Sequence, residues 1–147
     1  MNTVKFAVAA ILLFGAAALY ISAPLTADQI IRLAQADQSE VMNHIDQSKL
    51  EANLAAGISE RFNKDQSLGG KGEIGAALLG SITSGMAKGL TTEKALMPVL
   101  KNAQKRGYHG LNTYALSSEV AGQPLTVTLS RQKLVLWRVT DIDGAAF

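Results

Sequence analysis

"NTYALSSEVAGQPLTVTLSRQKLVLWRVTDI", residues 112–142, decides the fold. Apolar and polar residues alternate along it, and β-branched residues are frequent. Turn-formers divide it into three runs, 112–120, 124–131 and 133–142. A period of two puts successive side chains on opposite faces of a strand. Leu125, Val127 and Leu129 then share one face, as do Val135, Trp137 and Val139. Three such runs in succession predict an antiparallel meander with one apolar side.

Upstream of this stretch the period is helical. Thr91 or Thr92 caps a helix that should run to about Lys105, with Ala95, Leu96, Val99, Leu100 and Ala103 inward. Pro98 should kink it or delay its start, and Gly107 should end it. Further back, Leu50, Leu54, Ile58 and Phe62 recur every fourth residue behind Asp46, the expected cap of a longer helix. Asp37 starts a shorter helix through Val41, Met42 and Ile45. Thr26 and Gln29 have capping-box spacing before a helix ending near Ala36. Residues 63–72 read as a glycine-containing loop. Ile74, Leu78, Ile82, Met86 and Leu90 form a further helical stripe, where Gly85 and Gly89 would permit close backbone approach. Glu73 and Lys88 bracket that stretch and argue against a second membrane span.

The first residues have another character. Phe6 to Ala23 carry no formal charge. As a helix they would extend about 27 Å, close to a bilayer core of about 30 Å. Lys5 and the terminal amine precede them, and the first basic residue beyond is Arg32. The positive-inside rule places the N-terminus in the cytoplasm and the rest across the membrane. Cleavage near Ala18 is the rival, since Ala16 and Ala18 offer small residues to signal peptidase. It would leave a greasy new terminus, whereas Tyr20 suits an interfacial position in an intact anchor, the preferred reading. The expected organisation is an anchor or signal segment at 1–23 and a single extracytoplasmic domain at 24–147. Its class is α+β: an N-terminal membrane helix, then several helices packed on a C-terminal antiparallel sheet of about three strands.

The totals exclude several chemistries. The 147 residues contain no cysteine, which removes disulfides, thiolate metal sites and lipoprotein anchoring. A net charge of +2 does not indicate nucleic acid. Charge is uneven, however. Between 94 and 138 seven basic residues face Glu119 alone, a net of +6. Lys101, Lys105 and Arg106, in the last turns of the expected helix, are the candidate contact to a partner or to anionic headgroups.

No catalytic set stands out. His44 and Asp46 diverge at a helix junction, where Asp46 is better explained as a cap. His109 falls in an expected surface loop. Ser84 and Lys88 share a helix face, but catalysis would need Lys88 neutral, and a solvated lysine is the simpler account. "GGKG" at 69–72 lacks both the preceding strand and the Ser/Thr of a phosphate loop. Trp137 sits among apolar neighbours as a core residue. No cofactor or metal is expected.

In order and spacing, several marks resemble the bacterial family called domain of unknown function 2939. They are "LYISAP" at 19–24, "HIDQSKL" at 44–50, "TTEKALMPVL" at 91–100 and "RQKLVLWRVTDI" at 131–142. The resemblance implies a membrane-attached domain of this class and carries no activity or catalytic residue. The expectation is a non-enzymatic binding module in the bacterial inner membrane, single pass, with a periplasmic domain. Its partners would be the membrane through residues 6–23 and an envelope protein or anionic lipid. The alternative is a hydrolase or transferase acting on lipid or cell-wall material.

Overall fold

The computed structural model describes residues 2–64 and 85–144. Helix α1 spans Asn2–Gln35, a 3-10 helix spans Ser39–His44, and α2 spans Gln47–Lys64. A helical stretch at 85–90 leads into α3, Glu93–Lys101. Four strands follow: β1 Gln104–Gly110, β2 Thr113–Val120, β3 Gln123–Lys133 and β4 Leu136–Gly144. They pair as an antiparallel meander in chain order. The α+β class holds, with four strands rather than about three.

The core face of the sheet comes from the predicted alternation. Tyr114, Leu116, Leu125, Val127, Leu129, Trp137 and Val139 are all buried. In β4 the register shifts opposite Thr128 and Leu129. An inserted residue reverses the side-chain parity of a strand, so Ile142 rather than Asp141 joins the core. Val135, expected beside Trp137, instead occupies the β3–β4 turn and is exposed.

The additional strand corrects the expected helix end. α3 stops at Lys101, with Asn102 as its C-cap, and Gln104–Gly110 pairs with β2. Gly107 does not terminate a helix. It lies in β1 beside a bulge with φ +148°, a conformation that L side chains rarely adopt. Thr92 is the α3 cap, accepting from the Ala95 N–H at 3.3 Å.

The second correction concerns α1. It runs unbroken through Pro24, where two helices were expected. Thr26 is no cap; its hydroxyl donates to the Ser22 carbonyl at 2.9 Å. Ala23, Ala27, Ile30 and Ala34 form one buried stripe at helical spacing. Because three of the four are alanines, the helix axis can lie close to the sheet. Asp37, with φ 54°, ends α1: the Gln38 N–H reaches the Leu33 carbonyl and the Asp37 N–H the Ala34 carbonyl. This is the Schellman arrangement that satisfies the last carbonyls of a helix.

The expected α-helix after Asp37 is the 3-10 turn, which leaves Ile45 in a parallel bridge with Val139. Asp46 then accepts from the Lys49 N–H and starts α2, as expected. Leu50, Leu54 and Ile58 are buried, and α2 packs along β4. The side chain of Phe62, the loop at 65–72 and the glycine-rich stripe as far as Ser84 lie outside the described residues. At 85–90 Leu90 of the expected stripe packs against the core, but Met86 is exposed and Ala87 is buried in its place. A Cβ added at Gly85 or Gly89 would meet nothing within 4 Å, so the pair mediates no close approach among the described residues.

Candidate functional site

Residues 2–18 of α1 are all exposed, and burial begins at Ser22. The helix therefore passes from a free apolar half into the protein core without a linker. Where it meets the sheet, four aromatic rings and one arginine converge. Tyr20 of α1 stacks on Tyr108 of β1, with ring centroids 5.2 Å apart. Tyr108 meets Tyr114 edge-on at 5.0 Å and Trp137 at 5.9 Å. Arg131 lies over the Trp137 ring, 4.4 Å from its centroid, a cation–π contact.

Hydrogen bonds join the same residues. The Tyr108 hydroxyl donates to the carbonyl of Tyr20. That carbonyl is four residues before Pro24, whose missing N–H would otherwise leave it without a helical donor. Trp137 Nε1–H donates to the Ser22 hydroxyl at 2.8 Å, and that hydroxyl donates to the Leu19 carbonyl at 2.7 Å. The buried indole N–H is satisfied by the anchor helix itself. Burial raises the Tyr114 phenol above its usual pKa, with nearby Lys105 opposing the rise.

Arg131 also organises the two turns at this end of the sheet. Its Nε and Nη2 donate to the Leu111 carbonyl in the β1–β2 turn, at 3.3 and 3.1 Å. Its Nη1 donates to the Leu134 carbonyl in the β3–β4 turn. Beside the turns is an apolar hollow of about 620 Å³, walled by Ala16, Leu19, Tyr20, Tyr108, Leu111 and Leu134.

The sequence candidates fall elsewhere. Lys101 is the last residue of α3, short of the expected end near Lys105, and Lys105 and Arg106 lie on β1 rather than in a helix. Lys101 pairs with Asp37, and Lys105 pairs with Asp28 at 2.9 Å. Arg106 falls within the β1 bulge, where Lys105 and Gly107 pair with consecutive residues of β2. Two of the three cations thus make ion pairs, Lys101 joining α3 to the turn after α1 and Lys105 joining the sheet to α1.

His44 ends the 3-10 helix; burial, and then the charge of Arg138, lower its pKa. His109 is exposed on β1, not in a loop. Lys88 is exposed, while its expected neighbour Ser84 and the "GGKG" segment lie outside the described residues. Burial raises the pKa of Asp141, and neighbouring Asp143 adds to the rise against a backbone hydrogen bond from Ile142. Among the described residues no three His, Cys, Asp or Glu side chains converge on a metal-sized site.

Compared with known proteins, the chain matches no family model, no curated sequence and no solved structure. Sequence reasoning singled out Tyr20 and Trp137 but missed Ser22, Tyr108 and Arg131 as their partners. Arg131 precedes the tryptophan by six positions in one resemblance motif, and Ser22 stands in another, "LYISAP".

Proposed function

We propose that this chain is a single-pass membrane protein of the bacterial envelope, with its N-terminus in the cytoplasm and a periplasmic domain that binds a partner without catalysis. α1 is long and apolar enough to cross a membrane. The observation that carries the reading is its continuity: the exposed half and the core stripe are one helix. A domain joined in this way keeps its orientation as well as its height relative to the bilayer. A surface held at fixed height meets membrane-bound partners at raised effective concentration. The helix is also unbroken across Ala16–Ala18, and the residues just beyond pack on the sheet, which supports an uncleaved anchor. The resemblance to domain of unknown function 2939 agrees with membrane attachment and adds no activity.

Alkaline phosphatase fused to the C-terminus, with cell fractionation, tests the proposal. Active enzyme in the membrane fraction is the expected result. Inactive enzyme would reverse the topology, and active enzyme in the soluble fraction would establish cleavage.

A further inference from the structure

The exposed apolar residues of the domain are not scattered. Among the described residues every large exposed hydrophobic except Met86 lies on α1 or at one end of the sheet. At that end Leu111 occupies the β1–β2 turn and is 87% exposed; Leu134 and Val135 form the β3–β4 turn, at 73% and 56%. In a meander these two turns share an end, and the β2–β3 turn, Ala121–Gly122, lies at the other. Tight turns ordinarily carry Gly, Asn, Asp, Ser or Pro, which supply the turn's backbone angles or hydrogen-bond to it, and exposed turns are ordinarily polar. Leucines at both tips of one end are an exception that calls for an apolar environment there.

The position of the tips supplies one. Leu111 and Leu134 wall a hollow with Ala16, Leu19 and Tyr20 of α1, and Val135 faces a second hollow with Ala18 and Ile21. Leu111 and Leu134 therefore stand level with residues 16–20, and Val135 lies against the α1 face from 18 to 29. Helical rise puts residues 16–20 about 16–23 Å beyond Lys5, in the outer half of a hydrocarbon layer of about 30 Å. A helix spanning with Lys5 at the inner face would carry both tips into the outer leaflet, below the headgroups.

We propose that Leu111 and Leu134–Val135 insert into the outer leaflet of the bilayer, so that the domain sits on the membrane through three apolar elements: α1 and the two hairpin tips. The inference rests on the proposed membrane span, and its partner is lipid. Arg131 ties both tips through their carbonyls, so they act as one unit. Exposed Lys133, next to the tip, places an ammonium at headgroup height, as basic residues beside membrane-inserted apolar groups do.

The chain has no cysteine, so single labels are unambiguous. Leu12→Cys, Leu111→Cys, Leu134→Cys and Gln123→Cys, all at exposed positions, would each carry an environment-sensitive fluorophore. The full chain would be placed in phosphatidylethanolamine–phosphatidylglycerol vesicles. Quenchers would be lipid spin labels near the ester or near the chain end, and aqueous iodide. Labels at 111 and 134 should lose fluorescence to the shallow lipid quencher and resist iodide. The label at 12 should respond to the deep lipid quencher, and the label at 123 to iodide alone. Iodide quenching at either tip, with position 12 still in lipid, would overturn the seating and leave the span intact. Iodide quenching at position 12 would remove the span and the seating with it.

Discussion

The hydroxyl of Tyr108 donates to the carbonyl of Tyr20, the acceptor that Pro24 cannot serve. A proline in a helix interior normally kinks or ends it. Here a side chain 88 residues away in sequence supplies the missing donor, and α1 continues.

Tyr108→Phe should therefore cost about 1 kcal/mol, the usual worth of one hydrogen bond, while keeping the ring stack. In a Pro24→Ala background the helix regains its own N–H donor, and the same substitution should cost much less. Denaturant unfolding of the four variants in one detergent measures the coupling. Equal costs in both backgrounds would show that the hydroxyl does not serve the proline gap.

Ser22→Ala should be the more damaging change despite its small size. It strands the buried Trp137 N–H, and a buried unsatisfied donor costs about 1–3 kcal/mol. Trp137 fluorescence, with no other tryptophan in the chain, should report the altered surroundings directly. An unchanged spectrum and midpoint would mean that the indole finds another acceptor.

Ala121 and Gly122 form the two-residue β2–β3 turn with φ 52° and 77°. Both positive angles match a type I′ turn, which favours Asn-Gly. Ala121→Asn should stabilise the domain by about 1 kcal/mol, the scale of the left-handed penalty for alanine. A lower thermal midpoint would contradict this account of the turn.

His44 and Asp141 make opposite contributions to pH dependence. The folded pKa of His44 lies below its ordinary 6.5, so below 6.5 the unfolded chain binds the proton first. Its contribution is complete above 6.5 and declines as pH falls through the window down to the folded value. The folded pKa of Asp141 lies above 3.8, so its protonated form is favoured by folding and stability declines as pH rises through that window. Asp141→Asn should thus raise the melting temperature near neutral pH, with the gain vanishing in acid below 3.8. His44→Gln should flatten the loss of stability on acidification below 6.5. Parallel melting curves for wild type and variants at every pH would refute both assignments.

The ion pairs of Lys101 and Lys105 are partly exposed, and such pairs contribute about 0–1 kcal/mol each. Lys101→Glu, Lys105→Glu and Arg106→Glu together should leave a folded, membrane-bound protein. In a strain with a deletion phenotype, failure of that triple to complement would assign a partner contact to this side of the domain. Full complementation would remove the basic face from the function.

The elements legible without the fold are the local ones. The α2 stripe and its Asp46 cap follow from helical period and side-chain hydrogen bonds within one turn. Strands β2 and β3 follow from alternation, and the Thr92 cap from a neighbour three residues away. The long apolar helix follows from composition. Tertiary structure decided the rest, because the deciding partners are distant. Gln104–Gly110 shows no alternation, and it becomes a strand because β2 pairs with it. Val135 fits the alternation but falls at the tip, since the chain reverses there. Lys105 and Arg106 read as a helical basic cluster, but β1 holds them and Asp28 of α1 pairs with Lys105. The anchor junction was least visible: Pro24 marks a break by every local rule, and only the sheet can bring Tyr108 to the Tyr20 carbonyl and Trp137 to Ser22.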